Sequence, residues 1–389
     1  MKKFLLGVLL VFSGTLIPCS NIMIIGNGFA ATARTMDFPV NTGGVLGIGL
    51  AGDKNETDLN LAGGQFQTFG VRWKNKYNFI GQTWCGGNIV LDGLNTKGLY
   101  AAYLYLPDFT DYPALGHVGT KRMLGITNII NYILGMASSV NEALKLLATV
   151  ELVPNAIHTN TPSDPGLYVE MPIHLVIRDK SGSSAVIEWI KGKTKVHKGA
   201  GPVLTNAPPY GWQLKNAAKY DYVKPGNTDV KVDGAFMEGS GFHGIPGDWT
   251  PPSRFARATQ LVRNMPLPTS NNGALRNALT VIESVQAPLG ANPSPSMWKS
   301  LSDMKNSIYY FYPMYTVSPF YATLGKDKNA TLSSVNPVDA CQRYEVAKIA
   351  KSRRLPKGMV RVKLRQTPQK NIKRIENSTH TLTPGPEKS

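Results

Sequence analysis

The sequence is poor in cysteine and histidine, and this scarcity excludes two common kinds of protein. Its 389 residues include three cysteines, Cys19, Cys85 and Cys341, and six scattered histidines. Three cysteines do not make a disulfide framework, and no cysteine or histidine recurs at the spacing of a zinc site. We therefore expect no metal site and, if one cysteine is reactive, at most one disulfide bond.

Long apolar runs are also scarce, and the one that stands out lies at the N-terminus. Lys2 and Lys3 precede an almost uninterrupted apolar stretch over residues 4–17, which ends at Pro18-Cys19. The stretch is short for a membrane span, so residues 1–18 read as a secretory signal peptide of a periplasmic or secreted protein. The same junction partly resembles a lipoprotein signal, in which the cysteine is acylated. Pro18 is an unusual residue before the cleavage site of either kind of signal, so ordinary signal cleavage and lipoprotein processing both stay open.

Cleavage before Cys19 would place a thiol and a free α-amine on one residue. An α-amine titrates at about 7.7–8.0 in model compounds, so much of it is neutral and basic at working pH. It can take the thiol proton directly or through one water molecule. Cys19 is therefore a candidate nucleophile with its own base.

Acidic residues are few, and the excess positive charge is concentrated near the C-terminus. The net charge is +17, and residues 342–389 alone contain 13 Lys and Arg against 3 Asp and Glu. We interpret residues 19–341 as one domain and 342–389 as a basic, partly disordered extension. Such an extension suits an anionic envelope surface, or it is a solvated tail without a partner. Nucleic acid is not expected because no binding motif accompanies the charge.

Several motifs follow Cys19 in a fixed order. They are Arg34-Thr-Met-Asp37, Asp92-Gly-Leu-Asn95-Thr-Lys-Gly98-Leu99, Leu204-Thr-Asn206-Ala-Pro208, His243-Gly-Ile-Pro-Gly-Asp248 and Ser253-Arg254-Phe-Ala-Arg257. Together they resemble the choloylglycine hydrolase family, which contains conjugated bile salt hydrolases and penicillin V acylases. The resemblance covers roughly residues 19–326. It implies an N-terminal-nucleophile (Ntn) amidase without a cofactor.

The resemblance also implies roles near the nucleophile. Arg34 beside the Cys19 thiol would favour the thiolate, and Asp37 would accept a hydrogen bond from the Cys19 nitrogen. Met36 and Phe38 would line the pocket for the acyl group. Without the resemblance, Arg34 and Asp37 read as an ordinary ion pair on a strand surface.

Three further residues complete the implied site. The Asn206 side chain would donate to the developing oxyanion, and the backbone N–H of Tyr105 would be the second donor. Bile salt hydrolases usually have Asn where this chain has Tyr105, whereas many penicillin V acylases have Tyr, so the bile-salt pattern is broken. Tyr105 would also contact substrate. Arg254 would be a second active-site arginine; taken alone, Asn206 reads as a turn residue and Arg254 as a surface residue of a helix N-terminus.

Secondary-structure patterns indicate an α+β fold, which the resemblance makes a four-layer αββα sandwich. Strands are predicted over 21–25, 66–73, 78–82, 99–104, 174–177, 185–190 and 308–311, with a hairpin turn at 179–182. Helices are predicted over 121–136, 140–149, 255–264 and 274–285, the second with Ser139 and Glu142 as a capping box. The motif Gly47-Ile-Gly49-Leu-Ala-Gly52 fits a dinucleotide fingerprint, but the polar residues after it do not open a helix.

These observations predict an amidohydrolase that cleaves a linear C–N amide bond through a thioester. The substrate would be a small N-acyl compound, such as a bile conjugate, penicillin V or an N-acyl lactone. The alternative is a lipidated, inactive envelope protein on the same scaffold. Residues 209–252 resemble in length the assembly loop of tetrameric relatives, and Phe236, Met237 and Phe242 would be exposed without a neighbour. We therefore expect a homotetramer.

Overall fold

A computed structural model shows how the chain folds. It describes residues 19–38, 45–59, 69–84, 89–114, 122–161, 164–290, 294–314, 319–324, 330–334 and 359–360. Cys85 and Cys341, the predicted signal peptide and nearly all of the predicted basic extension lie outside the described residues. Cys19 is a free, buried cysteine.

The described residues form 23 strands and five α-helices. The strands are β1 (Cys19–Gly26), β2 (Phe29–Asp37), β3 (Val45–Gly49), β4 (Lys54–Glu56), β5 (Arg72–Lys74), β6 (Phe79–Thr83), β7 (Val90–Asn95), β8 (Leu99–Tyr105), β9 (Arg122–Gly125), β10 (Val150–Val153), β11 (Ala156–Thr161), β12 (Asp164–Glu170), β13 (Ile173–Asp179), β14 (Ser184–Ile190), β15 (Lys193–Lys198), β16 (Val203–Leu204), β17 (Lys231–Val232), β18 (Ala235–Phe236), β19 (Ser296–Asp303), β20 (Ile308–Pro313), β21 (Phe320–Leu324), β22 (Ala330–Ser334) and β23 (Met359–Val360). The helices are α1 (Ile129–Met136), α2 (Val140–Ala148), α3 (Tyr210–Ala218), α4 (Pro251–Asn264) and α5 (Asn271–Ser284).

Two large antiparallel sheets form the centre of the fold. The first has seven strands in the order β16-β1-β2-β19-β20-β21-β22, and the second has eight in the order β15-β14-β13-β8-β7-β6-β3-β23. The helices α4 and α5 pack on the outer face of the first sheet, and α1 and α2 pack on the second. The two sheets contact each other through β1 and β8. The predicted αββα sandwich is confirmed.

The central strands are covered on both faces, which explains why some escaped prediction. β2 has the sequence FAATARTMD and is buried over nearly its whole length. A strand that is buried on both faces does not alternate between apolar and polar residues, and alanine is a weak strand former. β2 therefore carries no strand signal, although it is a central strand of the first sheet.

Three other predictions need correction. The helix predicted over 121–136 begins only at Ile129, because Arg122–Gly125 pairs in parallel with Val150–Val153 and a 3₁₀ turn follows. The strand predicted over 66–73 is Arg72–Lys74, and residues 66–68 of the predicted range lie outside the described residues. The segment 209–252 is not one loop, since it begins with the helix Tyr210–Ala218.

The helix start at Ser139 is confirmed. The Ser139 side chain accepts a hydrogen bond from Glu142 N at 3.3 Å, while Glu142 Oε2 accepts from Ser138 N at 2.6 Å. The Glu142 side chain thus bonds Ser138 rather than closing the capping box on Ser139. No helix among the described residues has the length and apolar character needed to span a membrane.

Candidate active site

The pairing of β1 with β2 places the site residues by simple alternation. Cys19 lies opposite Met36, and Asn21 lies opposite Arg34. Because side chains alternate along a strand and directly opposed residues share a face, these four point the same way. Asn21 Nδ2 reaches Tyr100 Oη of β8 at 3.3 Å, so this face looks into the space between the two sheets.

Cys19 is buried at the edge of that space. Its nitrogen donates a hydrogen bond to Asn206 Oδ1, and its sulfur lies 3.8 Å from Met36 Sδ. Burial raises the pKa of the Cys19 thiol above its usual value, and Arg34 is the strongest influence in the opposite direction. A thiol of this kind stays protonated until a nearby base removes its proton.

Asn206 lies at the centre of the contacts. Its Nδ2 donates to the Tyr105 carbonyl at 2.8 Å, and its Oδ1 accepts from Cys19 N and from Arg254 Nη2, the latter at 3.0 Å. The side-chain amide is therefore oriented by two donors on one end and one acceptor on the other. An amide nitrogen has two hydrogens, and Tyr105 takes one of them.

Tyr105 presents its backbone to the same place. Leu106 N donates to Pro172 O of the neighbouring strand at 2.7 Å, so in this antiparallel ladder Tyr105, opposite Ile173, is a non-hydrogen-bonded position. Its N–H and carbonyl point away from β13. The carbonyl receives Asn206, and the N–H of the same residue points to that side too.

Arg254 is fully buried, contrary to its reading as a surface residue. From α4 its Nη1 donates to the Cys19 carbonyl at 2.7 Å and to Ser20 Oγ at 2.5 Å, and its Nε donates to Trp249 O at 2.9 Å. Burial lowers the pKa of Arg254 to about 10, so it remains a cation at neutral pH.

Arg34 reaches across to the second sheet. Its Nη2 donates to the Tyr103 carbonyl at 2.7 Å, and its guanidinium lies 4.9 Å from the centre of the Trp298 ring. Asp92, whose Oδ1 lies 3.9 Å from Arg34 Nη1, is its counter-ion. Burial alone would lower the pKa of Arg34, but the nearby groups, Asp92 foremost, together raise it above its usual value.

Asp37 is the acceptor predicted for the free amine of a processed Cys19, and with residues 1–18 attached that nitrogen is a backbone amide with a single hydrogen. The Cys19 nitrogen donates to Asn206, while Asp37 Oδ1 accepts from Ser296 Oγ. Among the described residues, Asp37 Oδ2 has no hydrogen-bond partner. Burial, opposed chiefly by Arg254, raises the pKa of Asp37 to about 7.

The predicted pocket residues lie near the thiol. Met36 contacts the Cys19 sulfur, and Phe38 meets Trp84 edge-on with ring centres 5.3 Å apart. Tyr105 is partly buried at the end of β8. Met36 is thus the predicted pocket residue that directly contacts the thiol. A cavity of about 740 Å³ lies elsewhere, between α2 and β14–β15.

The structure adds residues for which the sequence patterns predict no role. Asp92 lies in a quoted motif, but its bonds to Tyr100 at 3.0 Å, Ser300 at 2.5 Å and Tyr309 at 2.7 Å depend on three different strands. Trp298 and Ser296 have no motif around them. No group of three or more His, Cys, Asp and Glu among the described residues is arranged to hold a metal ion.

Comparisons with known proteins identify the family of this chain. The family model described as linear amide C–N hydrolases, choloylglycine hydrolase family, matches residues 19–319. A penicillin V acylase of Pectobacterium atrosepticum is 26% identical over 321 residues, which cover 77% of this chain and 78% of that protein. A bile salt hydrolase/transferase of Clostridium perfringens is 32% identical over 175 residues, which cover 44% of this chain and 51% of that protein.

Solved structures show the same fold. The penicillin V acylase from Agrobacterium tumefaciens has a TM-score of 0.63 and 25% identity, covering 82% of this chain and 91% of that one. A mutant of the conjugated bile acid hydrolase from Clostridium perfringens has a TM-score of 0.66 at 21% identity, covering 82% and 96%. The chain therefore belongs to the choloylglycine hydrolase family, within the Ntn hydrolases, and is a hydrolase of carbon–nitrogen bonds in linear amides.

Proposed function

We propose that this protein is an exported N-terminal-cysteine amidohydrolase that cleaves an N-acyl amide through a thioester on Cys19. The observation that carries the proposal is the contact of the Cys19 nitrogen with Asn206, beside the Tyr105 backbone. One residue thus offers a thiol and a nitrogen next to two oxyanion donors. The family match begins at residue 19, which supports the same N-terminus.

Removal of residues 1–18 would turn the Cys19 amide into an amine, which takes the thiol proton. The thiolate attacks the amide carbonyl, and the oxyanion accepts hydrogen bonds from Asn206 Nδ2 and the Tyr105 N–H. The C–N bond then breaks, and the departing amine receives the proton. Water, deprotonated by the Cys19 amine, attacks the thioester, releases the acid and restores the thiol.

Charged neighbours would hold this arrangement. A free amine carries more hydrogens than an amide, so the nitrogen of a processed Cys19 would have a further hydrogen to donate. Asp37 Oδ2, which has no hydrogen-bond partner among the described residues, would accept it. Arg254 fixes both the Cys19 carbonyl and the Asn206 oxygen. Arg34 faces the thiol side and favours the thiolate.

The acyl group of the substrate is proposed to be apolar and bulky. Met36 and the Phe38–Trp84 pair supply apolar surface near the sulfur, which suits an aromatic or steroid acyl group. Tyr105, which breaks the bile-salt pattern, makes phenoxymethylpenicillin the first compound to test. Glycine and taurine bile conjugates and an N-acyl homoserine lactone complete the panel.

Amine release from this panel tests the proposal, together with the mass of the mature N-terminus. We expect a chain that begins with an unmodified Cys19 and releases amine from at least one compound. A diacylglyceryl adduct on Cys19, with no amine released, would instead establish the lipidated, inactive envelope protein. The same intact-mass measurement on periplasmic, medium and membrane fractions tests export.

A further inference from the structure

Three titratable side chains line up behind the turn that carries Asn206. His174 of β13 and Glu188 of β14 are fully buried, and the side chain of His197 of β15 is 18% exposed. Glu188 Oε1 lies 3.4 Å from His174 Nδ1, and its Oε2 lies 3.1 Å from His197 Nε2. None of the three has a role in the reaction proposed above.

The far nitrogen of His174 points at the turn. His174 Nε2 lies 2.8 Å from the Thr205 carbonyl, and a carbonyl only accepts hydrogen bonds, so Nε2 carries a hydrogen. His174 therefore donates to the residue directly before Asn206. In the sheet it lies opposite Leu104, the residue directly before Tyr105.

Glu188 also binds the chain after Asn206, at the start of α3. Its Oε1 accepts a hydrogen bond from Tyr210 N at 2.7 Å, which is the first residue of α3. The N-cap of this helix, Pro209, provides no side-chain cap, so the buried carboxylate satisfies a helix N–H that would otherwise lack a partner. One carboxylate is thus connected to Thr205 through His174 and to Tyr210 directly.

We propose that Glu188 and His174 are positioning residues that hold Asn206 in register with Tyr105, so that both oxyanion donors converge on one point. The inference rests on the proposed function. Neither residue touches the substrate. Small displacements of oxyanion donors are costly because their effect depends on short, aligned hydrogen bonds in the transition state.

Two pairs of variants test this role with phenoxymethylpenicillin and the panel above. Glu188→Ala and His174→Leu should lower kcat by about 10- to 100-fold and leave KM within about threefold. Glu188→Gln keeps an acceptor for Tyr210, and His174→Gln keeps a donor for Thr205, so both should recover most of kcat. Asp179→Ala is the matched control, since Asp179 is another buried carboxylate that accepts the first N–H of a helix, Val140 N at 2.9 Å.

A second measurement separates positioning from a general loss of structure. Phenoxyacetaldehyde adds to the thiol: the new S–C bond leaves its oxygen at the oxyanion donors, and the thiol proton moves onto that oxygen. Iodoacetamide alkylates the same thiol with loss of iodide and needs no oxyanion donor. Glu188→Ala should weaken the binding of phenoxyacetaldehyde at least tenfold and change the rate of alkylation by iodoacetamide less than twofold.

The outcomes separate the two proposals. If Glu188→Ala resembles Asp179→Ala in kcat and in aldehyde affinity, the positioning role is wrong. The same holds if aldehyde binding and alkylation fall together. If Glu188→Ala does not fold, the His174 pair decides by the same criteria. If the wild-type protein releases no amine from the panel, the proposed function fails, and the aldehyde and alkylation measurements still decide the positioning role.

Discussion

At the scale of single residues, burial governs the chemistry of the proposed nucleophile, Cys19. Burial raises the pKa of the Cys19 thiol even with two arginines nearby. Such a thiol is a poor nucleophile on its own, because the reactive thiolate is scarce at neutral pH. The amine of a processed Cys19 would provide a base on the same residue as the thiol.

Cys19→Ser should lower amide cleavage at least about a thousandfold, because a hydroxyl is a far weaker nucleophile than a thiol beside an amine. Steady-state rates measure the loss, and circular dichroism checks that folding is unchanged. Activity within tenfold of wild type would show that another residue is the nucleophile.

Asp37→Asn should flatten the dependence of stability on pH. Burial raises the pKa of Asp37 to about 7, whereas in the unfolded chain an aspartate titrates near 3.9. Between about pH 4 and pH 7 the folded state therefore keeps a proton that the unfolded state has lost, and stability falls as pH rises.

Urea denaturation at several pH values in this window measures that slope. Asp37→Asn should reduce the slope of the free energy of unfolding against pH by about one proton equivalent. Asp233→Asn, in an exposed turn with φ of 50°, should leave the slope unchanged. An unaltered slope in Asp37→Asn would place the titrating proton on another group.

At the scale of elements, the helices are held at their N-termini by side chains from different sources. α2 and α5 begin at local serine caps, Ser139 and Ser270, which accept from Glu142 N and Gly273 N. α3 has no local side-chain cap, and its first N–H donates to Glu188 of strand β14 instead. A local cap contributes mainly to stability, while a distant one ties the helix to the site.

Ser139→Ala should lower the free energy of unfolding by about 1 kcal/mol, because the Glu142 N–H loses its acceptor. The kcat should not change, since α2 packs on the outer face of the second sheet. Urea denaturation compares it with Asn141→Ala, an exposed position in the same turn, which should cost much less. Equal losses would show that the cap contributes nothing.

At the scale of the whole molecule, two large apolar side chains of the segment 209–252 are exposed. Phe236 is 61% exposed and Met237 is 36% exposed, as predicted for the segment 209–252, whereas Phe242 is only partly exposed. Lys231 lies over the Phe236 ring at 4.3 Å. Packing of these side chains against a neighbouring subunit would remove them from water.

The homotetramer stays a prediction, and light scattering at micromolar concentration tests it. We expect four subunits in the wild type and a lower order after deletion of residues 226–241, because the exposed apolar side chains would be lost. Phe236→Ser should have the same effect, while Val196→Ser, at an exposed position on β15, should not. A monomeric wild type would contradict the prediction.

The sequence by itself determined the family, the sandwich fold that the family implies and a set of candidate site residues. Motifs around Cys19, Arg34, Asn206 and Arg254 could be read without structure because each is short and continuous in the chain. The helix at 140–149 could be read for the same reason, since its cap lies next to it.

Only the tertiary structure decided which atoms meet. Asn206, and not Asp37, accepts from the Cys19 amide nitrogen. Asp92 gains its role from a partner on another strand, and Glu188 gains its role from a partner at the start of α3. β2 is a central strand without a strand pattern. The physical reason is common to all of them: contacts between residues far apart in the chain depend on strand order and register, which local patterns do not encode.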